Sequence, residues 1–134
     1  MHLTRDQFAG WLSRYIEAWR SGDPADIGDL FSEDVSYSQN GGQTGLDGRE
    51  AVVAAWLEGA YEPTASWEAY YEPLAIEDQV HVAGGSTRYL REDGVREEFS
   101  NDFVCRYDDD GRCSELRERW MLAPSPVERI EDRV

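Results

Sequence analysis

The sequence predicts an α+β fold, with three N-terminal helices followed by a meander of long antiparallel strands. Apolar residues recur at helical spacing through the N-terminal half, and from Thr64 they alternate with polar ones. Acidic turns at Glu77-Asp-Gln79, Arg91-Glu-Asp-Gly94 and Asp108-Asp-Asp-Gly111 cut the second half into four long runs. The 134 residues suit one domain. They are too few for a Rossmann half plus a substrate domain, or for a barrel of alternating strands and helices. The domain is expected to span residues 1–122. Residues 123–134 are left as a tail, either flexible or packed on a partner subunit.

The first helix is signed by Phe8, Trp11, Leu12, Tyr15, Ile16 and Trp19, which share one helical face. Thr4 with Gln7 forms a capping box, Leu3 with Phe8 has the spacing of a hydrophobic staple, and Gly22 ends the helix. Asp23-Pro24 starts a shorter second helix, whose Ile27, Leu30 and Phe31 point back to the first. Val35–Ser38 reads as a short strand, and Asn40–Gly45 as a loop too glycine-rich for regular structure. Asp47 with Glu50 is a second capping box, opening a third helix with Val52, Val53, Trp56, Leu57 and Ala60 inward and an end near Gly59. The four strands are Ala65–Ile76, Val80–Leu90, Val95–Tyr107 and Arg112–Leu122. Three short helices cover only one face of such a sheet, so the other face is expected to pair with a second subunit in a homodimer.

Composition narrows the chemistry. There are 28 acidic residues against 13 basic ones, for a net charge of −15, and every basic residue is Arg. Without lysine there is no Schiff base, no pyridoxal phosphate anchor and no P-loop ammonium. Nucleic acid and anionic membrane surfaces are poor partners for so acidic a chain. No apolar run approaches the roughly 18 residues of a membrane span. Thr4–Arg20 is amphipathic and charged, unlike a signal peptide. Cys105 and Cys113 flank a hairpin turn and read as small buried groups in a reducing cytoplasm.

The stretches Tyr15-Ile-Glu-Ala-Trp-Arg-Ser-Gly-Asp-Pro24, Leu30-Phe-Ser-Glu-Asp-Val35 and Gly48-Arg-Glu-Ala-Val-Val-Ala-Ala-Trp56, with Phe103 to Trp120 around Asp110-Gly-Arg-Cys113, resemble the SnoaL-like branch of the nuclear transport factor 2-like superfamily. The resemblance covers about residues 4–122. It implies a cone-shaped α+β barrel of the NTF2-like (cystatin-like) type: three helices on a curved antiparallel sheet around a cavity. Such barrels are usually homodimers without a cofactor. It is specific for the fold and nearly silent on substrate, since the superfamily holds isomerases, dehydratases, epoxide hydrolases, polyketide cyclases and members that only bind.

Alternation then assigns the residues that face such a cavity. Leu116, Glu118 and Trp120 share one face of the last strand; Phe99, Asn101, Phe103, Cys105 and Tyr107 share one face of the strand before it. Tyr89 and His81 share a face of the next. A carboxylate among aromatic rings is costly to ionise, so Glu118 is expected to have a raised pKa suited to general acid–base catalysis. Its other reading is structural, paired with an arginine such as Arg88 or with a tyrosine hydroxyl. Asn101 is either an oxyanion donor or an amide tied to backbone. Tyr15, Tyr37, Tyr71 and Tyr89 offer hydroxyls, while Trp19, Trp56, Trp67, Phe103 and Trp120 shape an apolar wall or simply pack the core.

His81 has no matched acid and reads as strand surface or core, and His2, ahead of the first helix, as disordered. No cluster has metal-ligand spacing, Asp108–Asp110 is a turn rather than a calcium loop, and Gly84-Gly-Ser86 is no nucleophile elbow. The His–Trp–Asp run of the polyketide cyclases is here Leu116-Arg-Glu-Arg-Trp120, and the Asp–Arg–Asp arrangement of the epoxide hydrolases is missing. The expected function is cofactor-independent isomerisation, cyclisation, dehydration or hydrolysis of a small apolar or aromatic molecule. The alternative is a non-catalytic ligand-binding or dimerisation domain with a structural Glu118.

Overall fold

A computed structural model describes residues 2–42, 44–59, 66–90 and 96–122. The first helix, α1 (Arg5–Ser21), starts at a complete capping box. The Thr4 hydroxyl accepts the Gln7 N–H at 3.1 Å, and the Gln7 side chain accepts the Thr4 N–H at 2.9 Å. Gly22 ends it at φ +65°, the left-handed conformation that glycine adopts without strain. Phe8, Trp11, Leu12, Tyr15 and Ala18 are buried along one stripe. Asp23 caps α2 (Pro24–Gly28) by accepting the Ala25 N–H at 2.8 Å.

The chain between the second helix and the third differs from expectation. Helix α2 stops at Gly28, and Phe31 opens a strand, β1 (Phe31–Gln39), far longer than Val35–Ser38. Phe31 and Ser32 are both buried while Glu33 and Asp34 are both exposed, so simple alternation fails at the register shift between Phe31 and Ser36. Nor is Asn40–Gly45 an open loop. Asn40–Gly42 forms a 3₁₀ turn with positive φ at all three residues, and β2 (Thr44–Asp47) folds back antiparallel on β1. Asp47 therefore ends a strand opposite Ser36 rather than capping a helix. Gly48, at φ +93°, precedes α3 (Arg49–Gly59), and its carbonyl accepts the Val52 N–H at 3.2 Å. Val52 is buried, and Val53, Trp56 and Leu57 are partly buried against the core; Ala60 lies outside the described residues.

The four later strands fall close to expectation: β3 (Ser66–Glu77), β4 (Val80–Leu90), β5 (Arg96–Tyr107) and β6 (Cys113–Leu122). Ala65, Val95, the turn at Arg91–Gly94 and the tail at 123–134 lie outside the described residues. The sheet order is β2-β1-β6-β5-β4-β3. Every pair is antiparallel except β1–β6, which is parallel, so the sheet is mixed rather than wholly antiparallel. The core lies between the helices and one face of this sheet, around Phe8, Leu12, Ile27, Phe31, Phe103 and Leu116. The other face leaves Tyr70, Leu74 and Met121 exposed.

His81 belongs to the core. Its Nε2 accepts the Leu3 N–H at 3.0 Å, so the ring proton sits on Nδ1 and points to the carbonyls of Gln79 and Cys105. Burial lowers its pKa, keeping the ring neutral. The His2 ring bonds the Asp78 carbonyl and lies 5.9 Å from the His81 ring. Cys105 and Cys113 are buried and unbridged.

Gly85 sets how closely two strands approach. A Cβ there would stand 1.8 Å from the Tyr70 carbonyl oxygen, which is backbone and cannot swing away. At Gly84 the nearest neighbour is the tip of the Leu74 side chain, at 2.8 Å. Gly85→Ala should therefore lose more than about 2 kcal/mol in urea unfolding, at the upper end of overpacking costs, and Gly84→Ala clearly less. Equal losses would show that the approach of β3 to β4 is not limiting.

Candidate functional site

Between α1, α3 and the core-facing side of the sheet lies a cavity of about 640 Å³. Period-2 alternation delivers its polar floor, one side chain from each of five strands: Gln39 on β1, Tyr71 on β3, Thr87 on β4, Asn101 on β5 and Glu118 on β6. Glu118 is 7% exposed and Asn101 5%. The parallel β1–β6 register sets Gln39 directly beside Glu118, and Gly85 is the cross-strand partner of both Tyr71 and Asn101.

These side chains form one connected network. The Gln39 amide donates to Glu118 Oε1 at 2.9 Å, and the Asn101 amide donates to Glu118 Oε2 at 3.0 Å. Asn101 Oδ1 accepts the Thr87 hydroxyl proton at 2.9 Å. Tyr71 and Thr87 oxygens are 2.6 Å apart. A threonine has one hydroxyl proton, already given to Asn101, so Tyr71 must be the donor in that pair. The direction of every bond then follows, from the Tyr71 phenol to the Glu118 carboxylate.

Burial raises the Glu118 pKa, while hydrogen bonds from Gln39, Asn101 and Tyr37 oppose the rise by holding the ionised form. Burial also pushes the Tyr15, Tyr37 and Tyr71 phenols well above their usual range, so they stay protonated and act as donors. Arg88 does not pair with Glu118. It bonds Glu68 and Glu98 on the opposite face of the sheet, at 3.8 and 3.4 Å.

Aromatic rings wall the cavity. Tyr15 meets Trp56 edge-on at 4.8 Å, and Trp19 stacks on Trp67 at 4.3 Å and 29°. Tyr89 and Trp120 both line the space against Phe99. Trp120 is 43% exposed, so it forms rim rather than floor. Phe103 is corrected: it is 1% exposed and lies beneath Tyr15 and Tyr71, with centroids 5.6 and 4.8 Å away, outside the cavity lining.

The sequence reading missed Gln39, Thr87 and Arg20. Gln39 stands two residues after Tyr37 and was hidden by ending that strand at Ser38. Thr87 lies on the face already assigned to His81 and Tyr89, so alternation alone places it inward. Arg20 follows Trp19 at the end of α1, where it reads as a solvated charge; its guanidinium lies 4.5 Å over the Trp67 ring. Among the described residues no group of three or more His, Cys, Asp or Glu side chains could hold a metal.

A single sheet with one helical layer enclosing an aromatic cavity with a polar floor defines a cone-shaped α+β pocket fold. The SnoaL-like domain model matches residues 12–116, most of the chain, and the protein belongs to that family within the NTF2-like superfamily. A solved structure described as "epoxide hydrolase/cyclase-like enzyme SalBIII", from work on pyran ring formation in polyether salinomycin, is similar over 84% of this chain and 88% of that one. The TM-score is 0.66 at 16% sequence identity, a likeness of fold. No curated protein matches the chain.

Thr87→Val keeps the side-chain shape but removes the proton that fixes the Asn101 amide. The Glu118 pKa should then rise further, because a less well-oriented amide holds the ionised form less strongly. Thr87→Ser should restore it. Carbon-13 NMR titration of the glutamate carboxyls, with Glu118→Gln for assignment, reads this directly. An unchanged titration would show that Thr87 does not orient the amide.

Proposed function

We propose that the cavity binds a small, largely apolar or aromatic molecule and that Glu118 moves a proton on it without a cofactor. One observation carries this reading: a nearly buried carboxyl, with an amide N–H donating to each of its oxygens, opens onto an aromatic cavity with protonated phenols around it. Such a carboxylate is a base in a low-dielectric site, where its attraction for a proton is strengthened. The phenols are too weakly acidic to give up a proton, and their hydroxyl protons stay in the floor network, Tyr71 on Thr87 and Tyr37 on Glu118. The second N–H of Asn101 is the donor available to a developing oxyanion.

The chemistry that suits this set is abstraction of a proton next to a carbonyl. The C–H bond breaks, its proton moves to a Glu118 oxygen, and the electron pair moves onto the carbonyl oxygen as an enolate. Return of the proton to a different carbon is an isomerisation; ring closure or loss of a leaving group from the same enolate gives cyclisation or dehydration. The likeness to an epoxide hydrolase/cyclase-like enzyme supports small-molecule chemistry in this fold. A binding protein with a structural Glu118 is the second reading, favoured by the hydrogen bond already made to each carboxylate oxygen. The exposed Tyr70, Leu74 and Met121 support pairing of two copies through the outer sheet face, and the unbridged cysteines support a reducing compartment. No helix among the described residues is long and apolar enough to cross a membrane.

The test is deuterium uptake at the activated carbon of 2-tetralone in heavy water, followed by NMR. The protein should accelerate exchange over buffer, with a rate that rises with pH through a pKa above the ordinary carboxylate range. Glu118→Gln should remain folded, bind 2-tetralone and lose at least about 100-fold in rate. No acceleration by the unaltered protein, or full activity in Glu118→Gln, would sink the catalytic reading.

Linkage supplies a second check. A carboxyl whose pKa is raised on folding binds its proton more tightly in the native state, so it favours folding at low pH. That contribution is lost as pH rises from the usual glutamate value through the raised one. Comparing urea unfolding of the two proteins across this window should show the decline only where Glu118 is present.

A further inference from the structure

We propose that the ligand is a flat, conjugated carboxylate that enters with its reacting end toward Glu118 and leaves its own carboxylate at Arg20. The inference rests on reading the cavity as a small-molecule site and adds the class and orientation of its occupant. Arg20 is the only basic side chain among the described residues that line the cavity. Arg14, Arg88, Arg106, Arg112 and Arg117 each pair with a carboxylate, as an acid-rich chain makes easy. Arg20 has no such partner among the described residues; its guanidinium lies over the Trp67 ring. Arg5, Arg49 and Arg119 also lack one, Arg49 donating to the Phe31 carbonyl at 3.0 Å, but none of the three lines the cavity.

A guanidinium resting on an aromatic face keeps its in-plane N–H groups free, and their fork matches a carboxylate. Trp19 stacked on Trp67 beside it gives a flat apolar wall at the same level. That wall favours a conjugated ring system over a flexible chain.

Position fixes the orientation. Trp67 lies four residues along β3 from Tyr71, about 13 Å at 3.3 Å per residue. The ring beneath the cation and the floor's Tyr71 thus start from backbone positions far enough apart to seat two or three fused rings between them. A ligand with its charge inward would bring two carboxylates together at Glu118, whereas charge at Arg20 avoids that repulsion. The overall −15 opposes an anion at long range, but salt screens charges beyond about 8 Å, leaving the local guanidinium to decide.

The probes are 2-naphthoate and its neutral isostere 2-naphthamide, with binding followed by tryptophan fluorescence at neutral pH. The unaltered protein should bind naphthoate at least fivefold more tightly than naphthamide. Arg20→Gln should abolish that preference while leaving naphthamide affinity within about twofold, and Arg20→Lys should retain part of the preference. Equal binding of both probes to the unaltered protein would overturn the inference while leaving the cavity reading intact. The same holds for a preference that survives Arg20→Gln, or for an equal loss of both probes, which would make Arg20 a prop for Trp67. Failure of both probes to bind the unaltered protein would count against the inference and the cavity reading together.

Discussion

The parallel pairing of β1 with β6 is the constraint on which the site depends. It joins residues 79 apart in the chain and lays Gln39 beside Glu118. Two bonds bracket the seam. The Cys113 N–H donates to the Leu30 carbonyl at 2.8 Å, and the Trp120 N–H donates to the Asn40 side chain at 2.9 Å. Asn40 reaches that position with φ at 48°, a left-handed conformation asparagine tolerates better than most residues. Closing so long a loop costs entropy before any contact compensates it, so the site assembles only with the whole sheet. No contiguous piece of the chain contains it.

Once the seam is closed, two opposing effects act on one carboxyl. Burial favours the neutral acid; amide and phenol donors favour the anion. Burial is the larger, so the carboxyl titrates above its ordinary value, though less far than burial alone would carry it. The same burial acts on the phenols in the opposite functional sense, fixing them as donors. One apolar enclosure therefore raises the carboxyl and the phenols together and leaves the phenols as donors. The acids that dominate the composition take little part: Glu33, Asp34, Glu77, Asp78, Asp109 and Asp110 are all exposed.

Local signals were legible wherever the physics was local. The Thr4–Gln7 box, the Gly22 stop, the Asp23 cap and the four long strands follow from side chains a few residues apart. Alternation also put Glu118, Asn101 and Tyr89 on the face that lines the cavity. What was hidden depends on partners distant in sequence. The length of β1 is set by pairing with β6 and β2, and its bulge scrambles the alternation that would reveal it. Ending that strand at Ser38 hid Gln39. Asp47 and Glu50 have capping-box spacing, but strand pairing opposite Ser36 outcompetes the cap. Phe103 was placed on the correct face but at the wrong depth, since period 2 reports direction and not distance from the cavity.

Gly85 has a consequence for how such a pocket can change. Because β3 and β4 meet there backbone to backbone, the spacing of Tyr71 and Asn101, the two floor residues that pair with Gly85, is fixed by the backbone. Mutation cannot fill that position by small steps, since even a methyl group collides with a carbonyl oxygen. Variation in what the pocket accepts must instead accumulate in the aromatic rim, where Trp19, Trp67, Tyr89, Phe99 and Trp120 can be exchanged without moving a strand. The fold thus divides its own evolvability: a rim open to new shapes, and a floor whose spacing the backbone holds.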